Sequence, residues 1–417
     1  MSLPNRIPVE EAIARILAAV APLDVESVAL QAASGRVIAE DLVAAHAHPA
    51  WRNSAMDGYA VHSVDVIGAS GVAAVTLPVV GTIAAGDAPP SSTARGSAWR
   101  IMTGAHVPDG LDTVIRVEDT DRGEQVVQIT SDRDAGRNIR PRGEDFVSGA
   151  ILISRGSTLR AAQIGLAAGC GRRTLELVRR PRVAILTSGN ELVDVDQFDA
   201  VLAGRRIINT NGYALAAAIR EAGGEPIDLG IVVDDPVAMS DRITQAPAFD
   251  ALITCGGISV GAFDYTRDVI QRLGASLDFW RVRMRPGGPF GFGLLQGRPW
   301  FGLPGNPVSA MVTFELFVRP ALRRMSGHQR AVRQPVPVTL AEAVTTQGGL
   351  THFLRAVVTP EREAILTGPQ GSGMLTSMAA ANALLIVPHD VAYLPAGASA
   401  HAILLHDDSQ MAVTWTF

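Results

Sequence analysis

The chain has 417 residues with 36 basic and 41 acidic side chains, a formal net charge of −5, and is 47% hydrophobic and 18% charged. At ~100–200 residues per domain, this length predicts two to four domains with real cores, and the composition excludes a low-complexity chain. All 36 basic residues are arginine, which rules out a Walker-type phosphate-loop lysine, a Schiff-base lysine and a lysine general base. The near-neutral charge and only 5% aromatic residues argue against a nucleic-acid partner, which needs a basic surface and stacking rings. Cys170 and Cys255 lie far apart in no C-x-x-C context, so they read as buried thiols rather than as a disulfide or zinc ligands. No apolar run reaches the ~18 residues of a membrane span. Glu10 and Glu11 precede the short Ile16–Val20 apolar stretch, which is not the order of a signal peptide. The expectation is a cytoplasmic protein without membrane contact.

In chain order, Pro8 followed by Ala12, Ile13, Ile16, Leu17 and Val20 at helical spacing predicts an opening amphipathic helix that stops by Pro22. From about His46 to Gly149, β-branched runs (Ala73–Val80, Thr113–Val117, Gln125–Thr130) separated by Gly, Pro and Asp clusters predict an antiparallel β region. Residues 150–178 return to mixed strand and helix, and Arg179-Arg180-Pro181-Arg182 reads as a linker. Strand and helix then alternate. Strands are expected at Arg182–Thr187, Ile227–Val233 and Asp250–Cys255. Helices are expected from an Asn211 cap to Ala222, after Pro236, and over Tyr265–Leu273. Such βαβ alternation predicts a parallel sheet whose functional loops gather at the carboxyl ends of the strands. A helix from Pro307 to near Arg324 follows, and short strands from about Ala331 predict a small β domain.

Three acids fall at those predicted strand ends: Glu191 in TSGNEL, Asp234 in VVDDP and Asp264 in GGISVGAFDY. Gathered at one edge they suit a hard cation such as Mg²⁺, which takes one or two carboxylates with waters and phosphates; taken singly, Asp234 and Asp264 read equally as helix N-caps. Gly256-Gly257 and Gly302-Leu-Pro-Gly-Asn-Pro-Val-Ser309 offer glycine-freed amides as anion cradles, with Asn306 read as an N-cap and Pro307 as the first helical residue. In Trp280-Arg-Val-Arg-Met-Arg-Pro286 a single strand would project Arg281, Arg283 and Arg285 from one face over about 13 Å, a ready anion clamp or else a charged edge strand. The polar segments 53–60, 100–105 and 138–145 are poor core material and form candidate site walls.

Gly257-Ile-Ser-Val-Gly261 fits the G-x-S-x-G elbow of α/β serine hydrolases, with Ser259 as nucleophile and His352 or His389 downstream. An elbow serine should lead almost at once into a helix, yet Gly261-Ala-Phe-Asp intervenes, and no HGGG-type loop precedes it. The hydrolase is the minor alternative.

Together these segments resemble the molybdopterin molybdenumtransferase family, the MoeA proteins and the E domain of gephyrin. The matching motifs are NSAMDGYAV at 53–61, RIMTGA at 100–105, GRNIRPRGED at 136–145, TSGNEL at 187–192, NTNGY at 209–213, DLGIVVDDP at 228–236, GGISVGAFDYT at 256–266, RPGGPFGFG at 285–293, GLPGNPVSA at 302–310 and QGSGMLTSM at 370–378. The resemblance implies a homodimer of four-domain subunits: a mixed α/β domain I (1–45 and 146–178), a β-rich domain II inserted at 46–145, an α/β domain III at 179–327 similar to molybdopterin adenylyltransferase, and a C-terminal β domain IV at 328–417. It implies sites that combine domain II of one subunit with domain III of the other.

The implied reaction joins molybdate to adenylylated molybdopterin and releases AMP with the help of Mg²⁺. The implied catalytic residues are Asp57, Asp145, Glu191, Asp264, Arg281 and Arg285, and the implied metal ligands Glu191, Asp234 and Asp264. Thr103, Arg140, Ser188, Gly256, Gly257, Ser259, Pro304, Asn306, Pro307, Arg355 and Ser377 would bind or support the pterin substrate. Molybdopterin adenylyltransferase and molybdoenzyme maturation proteins are the implied partners. A non-catalytic molybdopterin-binding or scaffolding relative is the competing class, and the five acids 57, 145, 191, 234 and 264 argue against it. One departure stands out: the family usually carries lysine where this chain has Arg281, Arg285 and Gly288.

Overall fold

The computed structural model of the chain describes residues 6–257 and 265–406. These form two compact units: unit 1 comprises residues up to 40, 156–161 and 174 onward, and unit 2 comprises 41–155 and 162–173.

Unit 1 opens with α1 (Val9–Ala19), where Pro8 occupies the cap position and Ile16 and Ala12 turn into the core. Strand β1 (Val25–Ala29) follows it. Unit 2 is built on a five-stranded sheet of β2 (Gly58–Val61), β3 (Val75–Ile83), β4 (Ala98–Ile101), β5 (Thr113–Arg116) and β6 (Val126–Ile129), in the order β5-β2-β4-β3-β6. The β-rich reading holds, with one correction: β3 and β4 run parallel. The Ala84–Ser97 connection is long enough for a crossover, and its Gly, Pro and Ser content gives it the look of a hairpin turn.

The second half of unit 1 begins with β7 (Thr174–Val178), paired antiparallel with β1. Arg179 then grips Asp250 through two bonds of 2.7 and 2.8 Å. Burial works to raise the Asp250 carboxyl, but the Arg179 guanidinium and the Arg182 N–H outweigh it and hold it below the usual carboxylate range. The expected linker is therefore a clamp on the first strands of the next layer.

That layer contains β8 (Arg182–Ser188), α2 (Thr210–Glu221), β9 (Glu225–Val232), α3 (Pro236–Thr244), β10 (Ala251–Cys255), α4 (Tyr265–Arg272), β11 (Ala275–Arg281), β12 (Met284–Arg285), β13 (Pro289–Leu295) and β14 (Arg298–Leu303). The main sheet has the order β9-β8-β10-β14-β13-β11, its first four strands parallel and its last two antiparallel. Every residue of β10 is buried, as expected of a parallel strand covered on both faces. Trp300 is fully buried, stacks on Trp280 at 5.8 Å and donates to Thr254 Oγ1 at 3.1 Å; emptying such a site costs ~3–5 kcal/mol.

Two local readings need correction. Asn209, not Asn211, caps α2: its side chain accepts from Gly212 N. The arginine segment is not one strand. β11 ends at Arg281 in the main sheet, whereas β12 pairs with a strand of the C-terminal domain. Val282 and Met284 are buried between the arginines, so the alternation survives although the strand does not.

The predicted Pro307–Arg324 helix is α5 (Pro307–Thr313), a π-helical turn over Phe314–Val318, and α6 (Arg319–Met325). The C-terminal domain contains β15 (Val336–Leu340), β16 (Thr351–Val358), β17 (Glu363–Leu366), α7 (Leu375–Ala379), β18 (Ala383–Val387) and β19 (Ser399–Leu404). Its strands follow the order β16-β17-β15-β19-β18, and β18 pairs back onto β16. Closure into a barrel leaves no open edge around Leu354, Ala356, Leu385 and Ala402.

Candidate active site

A cleft of 610 Å³ opens at the carboxyl edge of the parallel strands, where the chain passes from β8 to β9 on one side and to β10 on the other. This is the reversal point at which open α/β sheets bind ligands. Ser188 ends β8, Gly256-Gly257 follow β10, and Pro304 follows β14. Gly256 and Gly257 adopt φ of 102° and 67°, and a Cβ on Gly256 would lie 2.4 Å from Ser188 O. Only glycine lets these strand ends approach so closely.

Glu191 and Asp234 both line the cleft. Asp234 and Asn190 lock two loops together: Asn190 N donates to Asp234 Oδ2 at 3.3 Å, and Asp234 N donates to Asn190 Oδ1 at 3.2 Å. The neighbouring Asp235 performs the capping of α3, accepting from Ala238 N at 2.7 Å, which leaves Asp234 to the cleft. Asn306 occupies the cap position of α5 without a capping bond from its side chain; it faces the cleft with Pro304 and Pro307.

Two buried polar atoms here have no hydrogen-bond partner among the described residues: Ser188 Oγ and Asn211 Oδ1. The Asn211 amide nitrogen is satisfied by Gly305 O at 2.7 Å and Cys255 Sγ at 3.2 Å. An unpaired buried acceptor costs ~1–3 kcal/mol, and a ligand carrying N–H groups would remove that cost. Sequence reasoning missed Asn211 by spending it on a helix cap; the paired asparagines of NTNGY were the available signal.

Cys255 lies under the same floor, donating to Pro304 O at 3.2 Å, and burial pushes its thiol up to about 12. It is therefore a packing residue, and native protein at pH 8 should leave Cys255 unlabelled by a disulfide reagent that reacts fully after denaturation.

A second pocket of 350 Å³ adjoins the cleft and shares Pro289, Asn306 and Ser309 with it. Arg281 and Arg285 line it; Arg283 does not. Arg285 makes one side-chain contact, to Gln347 Oε1 at 3.3 Å. Gln370, Gly371 and Ser372 form the far wall.

Arg355 supports that wall from behind. Its side chain is fully buried and donates to the carbonyls of Pro369, Gln370 and Gly371 at 3.1, 3.1 and 2.9 Å and to Ser377 Oγ at 3.3 Å. Ser377 in turn meets Thr367 Oγ1 at 2.8 Å. Arg355 is thus turned onto the loop 369–371, and Ser377 onto Arg355 and Thr367.

Unit 2 carries its own polar cluster. Asp57 Oδ1 accepts from Thr103 N and from Thr103 Oγ1, each at 2.7 Å, and these bonds hold its carboxyl below the usual range. Arg140 lies on the short strand paired with Asn53–Ser54, and Asp145 N donates to His48 O at 3.0 Å. Asp57, Thr103, Arg140 and Asp145 are all exposed. Asp264 and Ser259 lie outside the described residues.

This architecture, a doubly covered parallel sheet with an acid-lined cleft at its switch point, is that of a ligand-binding α/β domain. Residues 184–324 match the family described as a probable molybdopterin binding domain, 7–171 the MoeA N-terminal region (domain I and II) and 337–405 the MoeA C-terminal region (domain IV). The chain is 37% identical over 396 residues to molybdopterin molybdenumtransferase 2 of Mycobacterium tuberculosis, covering 93% of this chain and 96% of that protein. It is 33% identical over 412 residues to molybdopterin molybdenumtransferase of Staphylococcus aureus, covering 97% of each. A crystal structure of the molybdopterin biosynthesis moeA protein from Pyrococcus horikoshii superposes with a TM-score of 0.83 at 28% identity, over 96% of this chain and 100% of that one. The chain belongs to the MoeA family of molybdopterin molybdenumtransferases.

Proposed function

We propose that this chain is a molybdopterin molybdenumtransferase: it joins molybdate to adenylylated molybdopterin with release of AMP. The observation that carries this reading is the adjacency of two pockets of opposite character. One holds Glu191 and Asp234; the other is lined by arginines and, among the described residues, by no acid, and the two share Pro289, Asn306 and Ser309. A nucleotide-bearing substrate and a tetrahedral oxyanion need such a pair. The pterin and phosphates would occupy the glycine-lined cleft, with Ser188 and Asn211 bonding polar groups of the substrate, and the oxyanion would sit among Arg281 and Arg285.

Glu191 and Asp234 fit Mg²⁺, since they bring hard oxygen donors to one sheet edge and Mg²⁺ takes one or two carboxylates together with waters and phosphates. Among the described residues no cluster of three or more metal-ligating side chains forms, so the ion would depend on substrate for the rest of its shell. When bound, Mg²⁺ supplies charge neutralisation and polarisation of the phosphoanhydride. The cleft residues then orient the pterin, and the arginines hold molybdate beside it. Asp264 is proposed as a further acid of this edge, and Asp57 and Asp145 as further acids of the reaction.

The direct test supplies purified protein with adenylylated molybdopterin, molybdate and Mg²⁺ and follows AMP. Release that requires both ions is expected. Equal release without molybdate would mark a phosphohydrolase, and tight substrate binding with no release would mark a scaffolding relative.

We also propose a cytoplasmic homodimer. Among the described residues no helix is long and apolar enough to cross a membrane. Sedimentation at dimer mass is expected, and mixing inactive Asp145→Asn chains with inactive Glu191→Gln chains should restore turnover if each site draws on both chains.

A further inference from the structure

The arginine pocket has a third cationic wall that the relatives' names and the motifs leave unassigned. Arg6 lines it together with Arg281 and Arg285, and among the described residues no acidic side chain lines it. The backbone next to Arg6 is pinned to the arginine segment: Ile7 N donates to Arg281 O at 3.1 Å, Arg283 N donates to Ile7 O at 2.8 Å, and Ile7 bridges Val282 in parallel. The Ile7 side chain is buried in the main core, 4% exposed. The N-terminal segment is thus held beside the pocket by two backbone hydrogen bonds, which together make the bridge, and by its buried Ile7 side chain.

Arg6 itself has a φ of 59°, a left-handed conformation that a non-glycine residue keeps only where its surroundings impose it. None of the ion pairs among the described residues involves Arg6, Arg281 or Arg285. Three guanidinium groups around one 350 Å³ cavity repel one another until an anion enters, and the charge-assisted forks of arginine match the oxygens of a tetrahedral oxyanion.

We infer that Arg6 is a ligand of the oxyanion bound in this pocket, completing a three-arginine cage whose third side comes from the N-terminal segment. The inference rests on the reading of the pocket as an anion site. Its ligand is a tetrahedral oxyanion, either free molybdate or the phosphate of the nucleotide.

The experiment measures binding of molybdate, and separately of AMP, to the full-length wild type and to Arg6→Ala, Arg6→Lys and Arg285→Ala by titration calorimetry, with the thermal midpoint of each. Arg6→Ala is expected to weaken oxyanion binding about tenfold, the effect of losing one charge-assisted contact. Arg6→Lys should recover most of that loss, and the midpoint should not move. A loss confined to molybdate identifies the free oxyanion, and one confined to AMP identifies the substrate phosphate; either supports Arg6 as a ligand. If Arg285→Ala weakens binding and Arg6→Ala does not, Arg6 is a solvated terminal residue and the inference fails while the anion pocket stands. If neither variant changes binding, the pocket reading itself fails. Should Arg6→Ala lower the midpoint, Arg6→Gln separates the two roles, because unchanged oxyanion affinity in a stable Gln variant also overturns the inference.

Discussion

Replacing Arg355 by alanine should lower the stability of the chain by ~3–5 kcal/mol, the range found when a large buried side chain is removed and its hydrogen-bond partners are left unpaired. The side chain is fully buried on the face of β16 opposite Leu354 and Ala356, away from the barrel interior. Burial pulls its pKa below the ordinary arginine value, and no carboxylate pairs with it among its hydrogen-bond partners. What holds the charge is a ring of carbonyls from Pro369, Gln370 and Gly371, reinforced by Arg355 N to Gln370 Oε1 at 2.8 Å and Gln370 Nε2 to Arg355 O at 3.1 Å. Alanine would empty the space and strand three carbonyls at once.

The same loop forms the far wall of the arginine pocket, so, on the proposed reading of that pocket, Arg355→Ala should also weaken molybdate binding. Arg355→Lys keeps the charge, but a single ammonium cannot reproduce the planar fork that meets three successive carbonyls. It should fall between wild type and alanine in urea midpoint. A midpoint for Arg355→Ala within experimental error of wild type would show that the loop does not depend on this strut.

The second large effect is expected at the acidic edge. Glu191→Gln should reduce AMP release by about two orders of magnitude, equivalent to ~2.7 kcal/mol of transition-state stabilisation, while leaving the fold intact because the side chain is exposed. Gln keeps the shape and removes the charge, so a loss of this size would report the carboxylate as such. Asp234→Asn should act in the same direction but cost some stability as well, since Asp234 Oδ2 accepts from Asn190 N and helps join the two loops. Mg²⁺ affinity measured directly on both variants, without substrate, gives a readout independent of turnover. Wild-type turnover together with wild-type Mg²⁺ affinity in Glu191→Gln would remove this residue from the site.

Much of this molecule could be read from local signals. Pro8 and the spacing from Ala12 to Val20 marked α1, because one apolar face at helical period needs little else to be recognised. Strands at 182–187 and 250–255 alternating with helices marked a parallel sheet, and the structure buries both strands. That logic also brought Glu191 and Asp234 to one edge, since a loop that follows a parallel strand must open at that end of the sheet.

What failed were features in which two distant segments compete for the same residues. Arg281 to Arg285 alternates like one strand, yet the main sheet takes its beginning and the barrel its end; alternation records which face is buried, not which partner supplies the hydrogen bonds. Asn209 and Asn211 are equally good caps in sequence. The contacts of Asn211 with Gly305 O and Cys255 Sγ, from other strand ends, decide that Asn209 caps the helix and Asn211 faces the cleft.

By itself, then, the sequence determined the class of each layer, the strand ends that carry acids, and, through its motifs, the MoeA family. The tertiary structure alone decided that the C-terminal strands close into a barrel, that Arg355 is a strut behind the pocket, and that Arg6 stands beside Arg281 and Arg285. The physical reason is range. Propensity, period and capping act over a few residues and are written locally, whereas strand pairing between 351–358 and 383–387, or between Ile7 and Val282, is selected by the burial and hydrogen bonding of the whole assembled core.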